Sequence, residues 1–250
     1  MKKFILLSFV IGFSLTSAYA QTDGNIQQYS ANVATFVQNN LSQDSVWKPK
    51  FHKMSFTYIV NDKPDSPKLI NKTTIAVLPD GTMLITDEDE IIPPGTFPDK
   101  PLGVYSKLIQ QRLGNFINLK FYDEIDNKLY LVNETTDLNT SNINSDLTKG
   151  SRLTISSKFQ LLKSNKEIKQ TPKKANPLTC IVGDKYSAKL IHENLNGQAT
   201  QLICHYGDNF EKSFNGFESA FLDDYGVVLT TRYQAMGSDN KYKYFTMHVE

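Results

Sequence analysis

Hydrophobic and polar positions change period several times along the chain, and each change marks an element. Within residues 25–41, Ile26, Tyr29, Val33, Phe36, Val37 and Leu41 recur at helical spacing in a stretch free of proline, which predicts an amphipathic helix. Pro49 breaks that pattern. Met54, Phe56, Tyr58 and Val60 then alternate with Lys53, Ser55, Thr57 and Ile59 as on a half-buried strand, and residues 61–67, rich in Asp and Pro, follow as a turn or loop. Residues 68–78 and 83–86 flank Pro79-Asp80-Gly81-Thr82, the clearest hairpin signal in the chain. Pro93, Pro94, Pro98 and Pro101 remove backbone donors, so that segment is expected to cross the surface irregularly.

Beyond the prolines, residues 104–113 read as a short helix, and 116–123 with 128–133 as a second hairpin turning at Glu124-Ile125-Asp126-Asn127. Residues 135–150 are almost wholly Asn, Thr, Ser and Asp, so they are expected to bury little and to move. A strand over 152–162 precedes a lysine-rich stretch with Pro172 and Pro177, read as a linker or exposed loop. The remainder is β-rich, with runs at 178–182, 198–206, 219–222, 227–233 and 242–249 punctuated by glycines.

These elements predict a mainly β (α+β) fold: antiparallel sheets, an N-terminal amphipathic helix and a β-rich C-terminal part that carries the cysteines. The expected organisation is a leader at 1–20, an α+β part at 21–163, a linker or loop at 164–177 and a β-rich part at 178–250. The last piece is either a small domain or the other half of one sheet system, since about 73 residues lie near the lower limit for independent stability.

The leader changes the picture most. Lys2 and Lys3, the apolar run 4–15 and Ala18-Tyr19-Ala20 have the form of a secretory signal cut after Ala20, and no cysteine follows the cut to carry a lipid. The expected location is therefore the periplasm or the exterior of a bacterial cell. Without Lys2 and Lys3 the chain has 25 basic and 26 acidic residues, a balance that offers no electrostatic case for nucleic acid or an anionic membrane. No later segment is apolar for long enough to make a membrane helix, so no integral anchor is expected. In an oxidising compartment Cys180 and Cys204 read as one disulfide, with none of the C-x-x-C spacing of a redox pair.

Candidate chemistry is sparse. The histidines His52, His192, His205 and His248 form no spaced pair, and no metal or cofactor is implied. The run Asp87-Glu88-Asp89-Glu90 lacks the glycine-punctuated loop of a calcium site and reads as a charged strand end or loop. Ser45-Val46-Trp47-Lys48 and Ser238-Asp239-Asn240 match two fragments of the penicillin-recognising enzymes, but K-T-G is absent and Pro49 disfavours the helix that the first fragment requires. N-x-[ST] matches at Asn71, Asn133 and Asn139 matter only in a host that glycosylates. Phe210, Phe214, Phe217, Phe221 and Tyr225, with Tyr242, Tyr244 and Phe245, form either a β core or an exposed carbohydrate, peptide or lipid surface.

Three functional readings follow, led by a non-catalytic exported binding or interaction protein whose partner is a protein or small ligand. The second is a hydrolase-type enzyme with an unrecognised site, which would gather Asp223, Asp224, His192 or His205 in one pocket. The third is a small outer-membrane barrel, disfavoured by lysine-bearing strands and a Val249-Glu250 end.

Overall fold

The computed structural model describes residues 29–42, 45–60, 68–92, 104–125, 128–141, 147–163, 166–167, 172–207, 216–235 and 238–250. One helix, α1 (Ala31–Asn40), precedes fifteen strands among these residues: β1 (Lys53–Val60), β2 (Lys68–Val77), β3 (Met83–Ile92), β4 (Val104–Leu113), β5 (Ile117–Ile125), β6 (Lys128–Ser141), β7 (Arg152–Lys163), β8 (Lys166–Glu167), β9 (Lys173–Lys174), β10 (Leu178–Ser187), β11 (Gln198–Tyr206), β12 (Gly216–Leu222), β13 (Val227–Ala235), β14 (Ser238–Lys241) and β15 (Lys243–Val249). The expected class holds: the protein is mostly antiparallel β, with one short N-terminal helix and the disulfide in its C-terminal part.

Most neighbours in sequence are neighbours in the sheet, and the last run brings the order back to its start. β14 pairs with β13, β15 pairs with β1, and only Tyr242 separates them, its N–H donating to Thr231 O at 3.0 Å. The result is a near-barrel in which one segment passes from the last ladder to the first. Where that segment leaves β13, the β4–β5 turn takes over the exposed edge: Val228 N–H donates to Gly114 O at 2.8 Å, and Asn115 Nδ2 donates to Val228 O at 2.9 Å. Gly114 (φ 60°) and Asn115 (φ 56°), the central residues of the β-turn closed by Phe116 N–H to Leu113 O at 2.9 Å, both have the positive φ of a primed turn. Trp47 packs so closely that a Cβ at Gly114 would lie 2.6 Å from its ring.

Alternation along β12 separates two cores, because successive side chains point to opposite faces. Phe221 joins Val33 and Val37 of α1, Trp47, Leu113, Ile117, Leu153, Leu178 and Leu202. Leu222, on the other face, joins Met54, Phe56, Ile75, Met83, Ile85, Leu229 and Met247. α1 is held at its start by Ser30, whose Oγ accepts from Val33 N–H at 3.4 Å and donates to Thr136 O at 2.7 Å. Cys180 and Cys204 face each other across β10 and β11, bonded, each 1% exposed in the first core.

Several expectations change. Residues 104–113 form strand β4, not a helix, because β3 and β5 offer ladders on both edges. The polar run after Thr135 is strand β6 as far as Ser141, and Leu147, only 8% exposed, is part of the core. β3 extends through the acidic run to Ile92. Within the lysine-rich stretch, β8 and β9 both fold back on β7, while β7 itself pairs directly with β10. The leader, residues 25–28, the prolines at 93–101, Phe210 and Phe214 lie outside the described residues.

Candidate functional site

Asp223, Asp224, His192 and His205 do not share a pocket. β11 and β12 run antiparallel with Ala199 opposite Leu222 and His205 opposite Gly216. At about 3.4 Å per residue, that six-residue offset sets His205 roughly 20 Å along the sheet from Asp223. His205 is 4% exposed, and burial, which disfavours the imidazolium, pulls its pKa below 6.5. His192 is spent locally: its Nδ1 accepts from Asn194 N–H at 3.2 Å and its Nε2 faces Phe245 O at 3.4 Å, contacts that suit the neutral ring protonated on Nε2. The Asp224 carboxylate lies against the backbone of Gly197. Ser45 Oγ accepts from Trp47 N–H at 3.2 Å inside a turn, and Lys48 points to solvent. Among the described residues no three His, Cys, Asp or Glu side chains come together as a metal site.

The acidic run is divided by the pleat. Asp87 accepts from Thr73 Oγ1 at 2.6 Å, while Asp89 accepts from Asn71 Nδ2 and Ser106 Oγ, both at 2.7 Å. Glu88 and Glu90 turn the other way, to Lys107 at 3.5 Å and Lys72 at 2.7 Å. Each carboxylate therefore has its own partner on β2 or β4. Burial raises the Asp87 pKa above its ordinary value and lowers that of nearby Arg112. The same face carries Phe56, Tyr58 and Tyr244, whose rings lie 5.3 to 6.1 Å apart, and burial pushes the Tyr58 and Tyr244 hydroxyls well above the usual tyrosine range. Tyr244 is thus a core residue, and so is Phe221, whereas Phe245 is 46% exposed.

Asp223 alone of the four singled-out residues lines an open groove of about 560 Å³, where the β12–β13 turn meets the segment before β1, the connection before β7 and residues 183–185 of β10. Val46, Leu147 and Phe221 supply its apolar lining; Lys50, Lys149, Asp184, Lys185 and Asp223 supply its charge. Asp223 organises the polar side. Its Oδ1 accepts from Thr200 Oγ1 at 2.9 Å, its Oδ2 from Lys185 Nζ at 2.6 Å, and its backbone O from Lys50 Nζ at 2.9 Å. Lys149 and Asp184 pair at 2.5 Å on the open rim, where both side chains are about 70% exposed. The floor reports inward: Phe221 sits edge-on to Trp47 at 5.0 Å between ring centroids, and Trp47 stacks on Phe116 at 5.9 Å. Lys50, Lys149 and Lys185 come from three distant segments, and nothing in their spacing could have grouped them.

The fold and site together define an antiparallel β near-barrel with a mixed apolar and charged groove at one end. Compared with known proteins, this chain matches no family model, no curated protein and no solved structure.

Proposed function

We propose that the protein is an exported bacterial binding protein that takes up a small ligand without transforming it. The groove carries this reading: about 560 Å³ lies within the range of roughly 300–1,000 Å³ usual for small-molecule sites, and apolar and charged groups converge on it. Its lining holds Thr148, Asp184 and Asp223 but no His, Ser or Cys, and with both aspartates paired to lysines this favours binding over the hydrolase reading. The buried disulfide suits the oxidising compartment to which the leader would deliver the chain. Strand closure is a feature the outer-membrane reading also needs. Against it stand the half-exposed Lys72, Lys158 and Lys185 and the exposed Lys243, strand positions that a lipid-facing apolar band would not carry.

The test is a thermal-shift screen of the disulfide-bonded protein, prepared without detergent, against small organic anions, cations and neutral amphiphiles. A ligand that raises the midpoint and also changes Trp47 emission supports the reading. A screen in which no compound does both would overturn it, and a chain that dissolves only in detergent would restore the barrel.

A further inference from the structure

Resting on the binding reading above, we infer that the groove selects a small organic monoanion, a carboxylate on an apolar body, with the carboxylate set against Lys50 and Lys185. The charge count points to this class: among the described residues three lysines line the groove and two aspartates answer them, leaving one positive charge over. That surplus has a location. Lys185 is neutralised by Asp223 and Lys149 by Asp184, but the described partner of Lys50 is the backbone oxygen of Asp223, a neutral acceptor that directs the ammonium without cancelling its charge. Asp223 holds both Lys50 and Lys185, one by its carbonyl and one by its carboxylate, so the two ammonium groups are fixed by the same residue.

Asp223 is itself fully engaged. With Thr200 on one carboxylate oxygen and Lys185 on the other, and only 21% of its side chain exposed, it offers little to an incoming cation. Each lysine nitrogen has three donors, so a ligand carboxylate can accept from both while the existing bonds persist. The apolar body of the ligand then lies along Val46, Leu147 and Phe221. A neutral ligand would gain the apolar contact only; a cation would meet the surplus charge.

Octanoate, 1-octanol and octylammonium separate these cases, titrated below their micelle thresholds against the disulfide-bonded protein with Trp47 emission as readout. Octanoate is expected to bind about tenfold more tightly than octanol, the ratio that one charge-assisted hydrogen bond gives, and octylammonium more weakly than either. Lys50→Gln should remove most of the octanoate advantage and leave octanol unchanged, while Lys128→Gln, at an exposed position that opens β6, should change neither. Lys185→Gln provides a second variant, with the unfolding midpoint showing that each variant is folded. Equal binding of octanoate and octanol, or an octanoate advantage that survives in Lys50→Gln, would overturn the anion assignment and leave the binding reading standing. If none of the three ligands alters Trp47 emission, the anion assignment falls, and the binding reading is decided by the wider screen above.

Discussion

Replacing Cys180 and Cys204 together by alanine removes a constraint that acts chiefly on the unfolded chain. The two residues are 24 apart in sequence, and the chain-entropy relation assigns a loop of that length about 3.5 kcal/mol at 25 °C. Deleting two sulfurs that are 1% exposed among Leu153, Leu178 and Leu202 adds a cavity cost of about 1 kcal/mol. The native ladder does not depend on the bridge for its register. Thr179 faces His205 and Ile181 faces Ile203 on either side of it, and β12 continues the pairing beyond β11, so the variant should keep the same fold. Urea unfolding followed by Trp47 emission and by far-ultraviolet circular dichroism is the assay, with coincident curves required before a free energy is extracted. The expected loss is about 3 to 5 kcal/mol, with a larger denaturant slope because the released chain expands further. Wild-type protein unfolded in reductant should match the variant, whereas brief exposure of the folded protein to reductant should leave the buried bridge intact. A loss under about 1 kcal/mol with an unchanged slope would refute the argument that the loop constraint is the main contribution of the bridge.

Three further outcomes are expected. Gly226→Ala should cost about 3 kcal/mol or more in urea unfolding, since φ is 67° and the new Cβ would lie 2.3 Å from the Lys48 carbonyl oxygen, a backbone atom that cannot step aside; an effect below about 1 kcal/mol would show that the turn is slack. Because burial lowers the His205 pKa below 6.5, the unfolded chain binds the extra proton first, so stability should be full above that value and fall as the pH drops through and below it; His205→Gln should flatten that part of the stability profile. Ser30→Ala removes both the cap of α1 and the bond to Thr136 O and should lower stability by about 1 to 2 kcal/mol, with Ser30→Asp recovering part of the cap but not the donated bond.

The elements that could be read from the sequence are those whose side chains state their own surroundings. β1 alternates, the Pro79–Thr82 turn announces the β2–β3 hairpin, and two cysteines behind a leader of secretory form announce a bridge. Where polar residues are involved, the local pattern misleads, because their partners lie far away in sequence. Residues 104–113 contain Leu, Gln and Arg, good helix formers, yet Gln110 and Gln111 are both 2% exposed on opposite faces of a strand. Gln111 donates to Tyr29 and Thr82 and accepts from Tyr122, while Gln110 accepts from Arg112. The run after Thr135 behaves likewise: Thr135 Oγ1 donates to Asn118 O at 2.9 Å, and Asp137 pairs with Lys158 at 3.1 Å, so its polar side chains support the ladder that their composition argues against.

The groove follows the same physics one level higher. Asp223 could be singled out from the sequence, but its part in the groove comes from contacts with Thr200, Lys185 and Lys50, three positions brought to one place by the β11–β12 ladder, the β10–β11 hairpin and the turn before β1. A site built around an acid and a base could have left some trace as a paired motif. A groove that holds a ligand by surplus charge and apolar contact needs no fixed spacing, since any lysine long enough to reach the turn serves. The absence of a motif is therefore what a binding groove of this construction would leave in the sequence, and the decisive residue to alter is Lys50, whose partner among the described residues is the neutral backbone oxygen of Asp223.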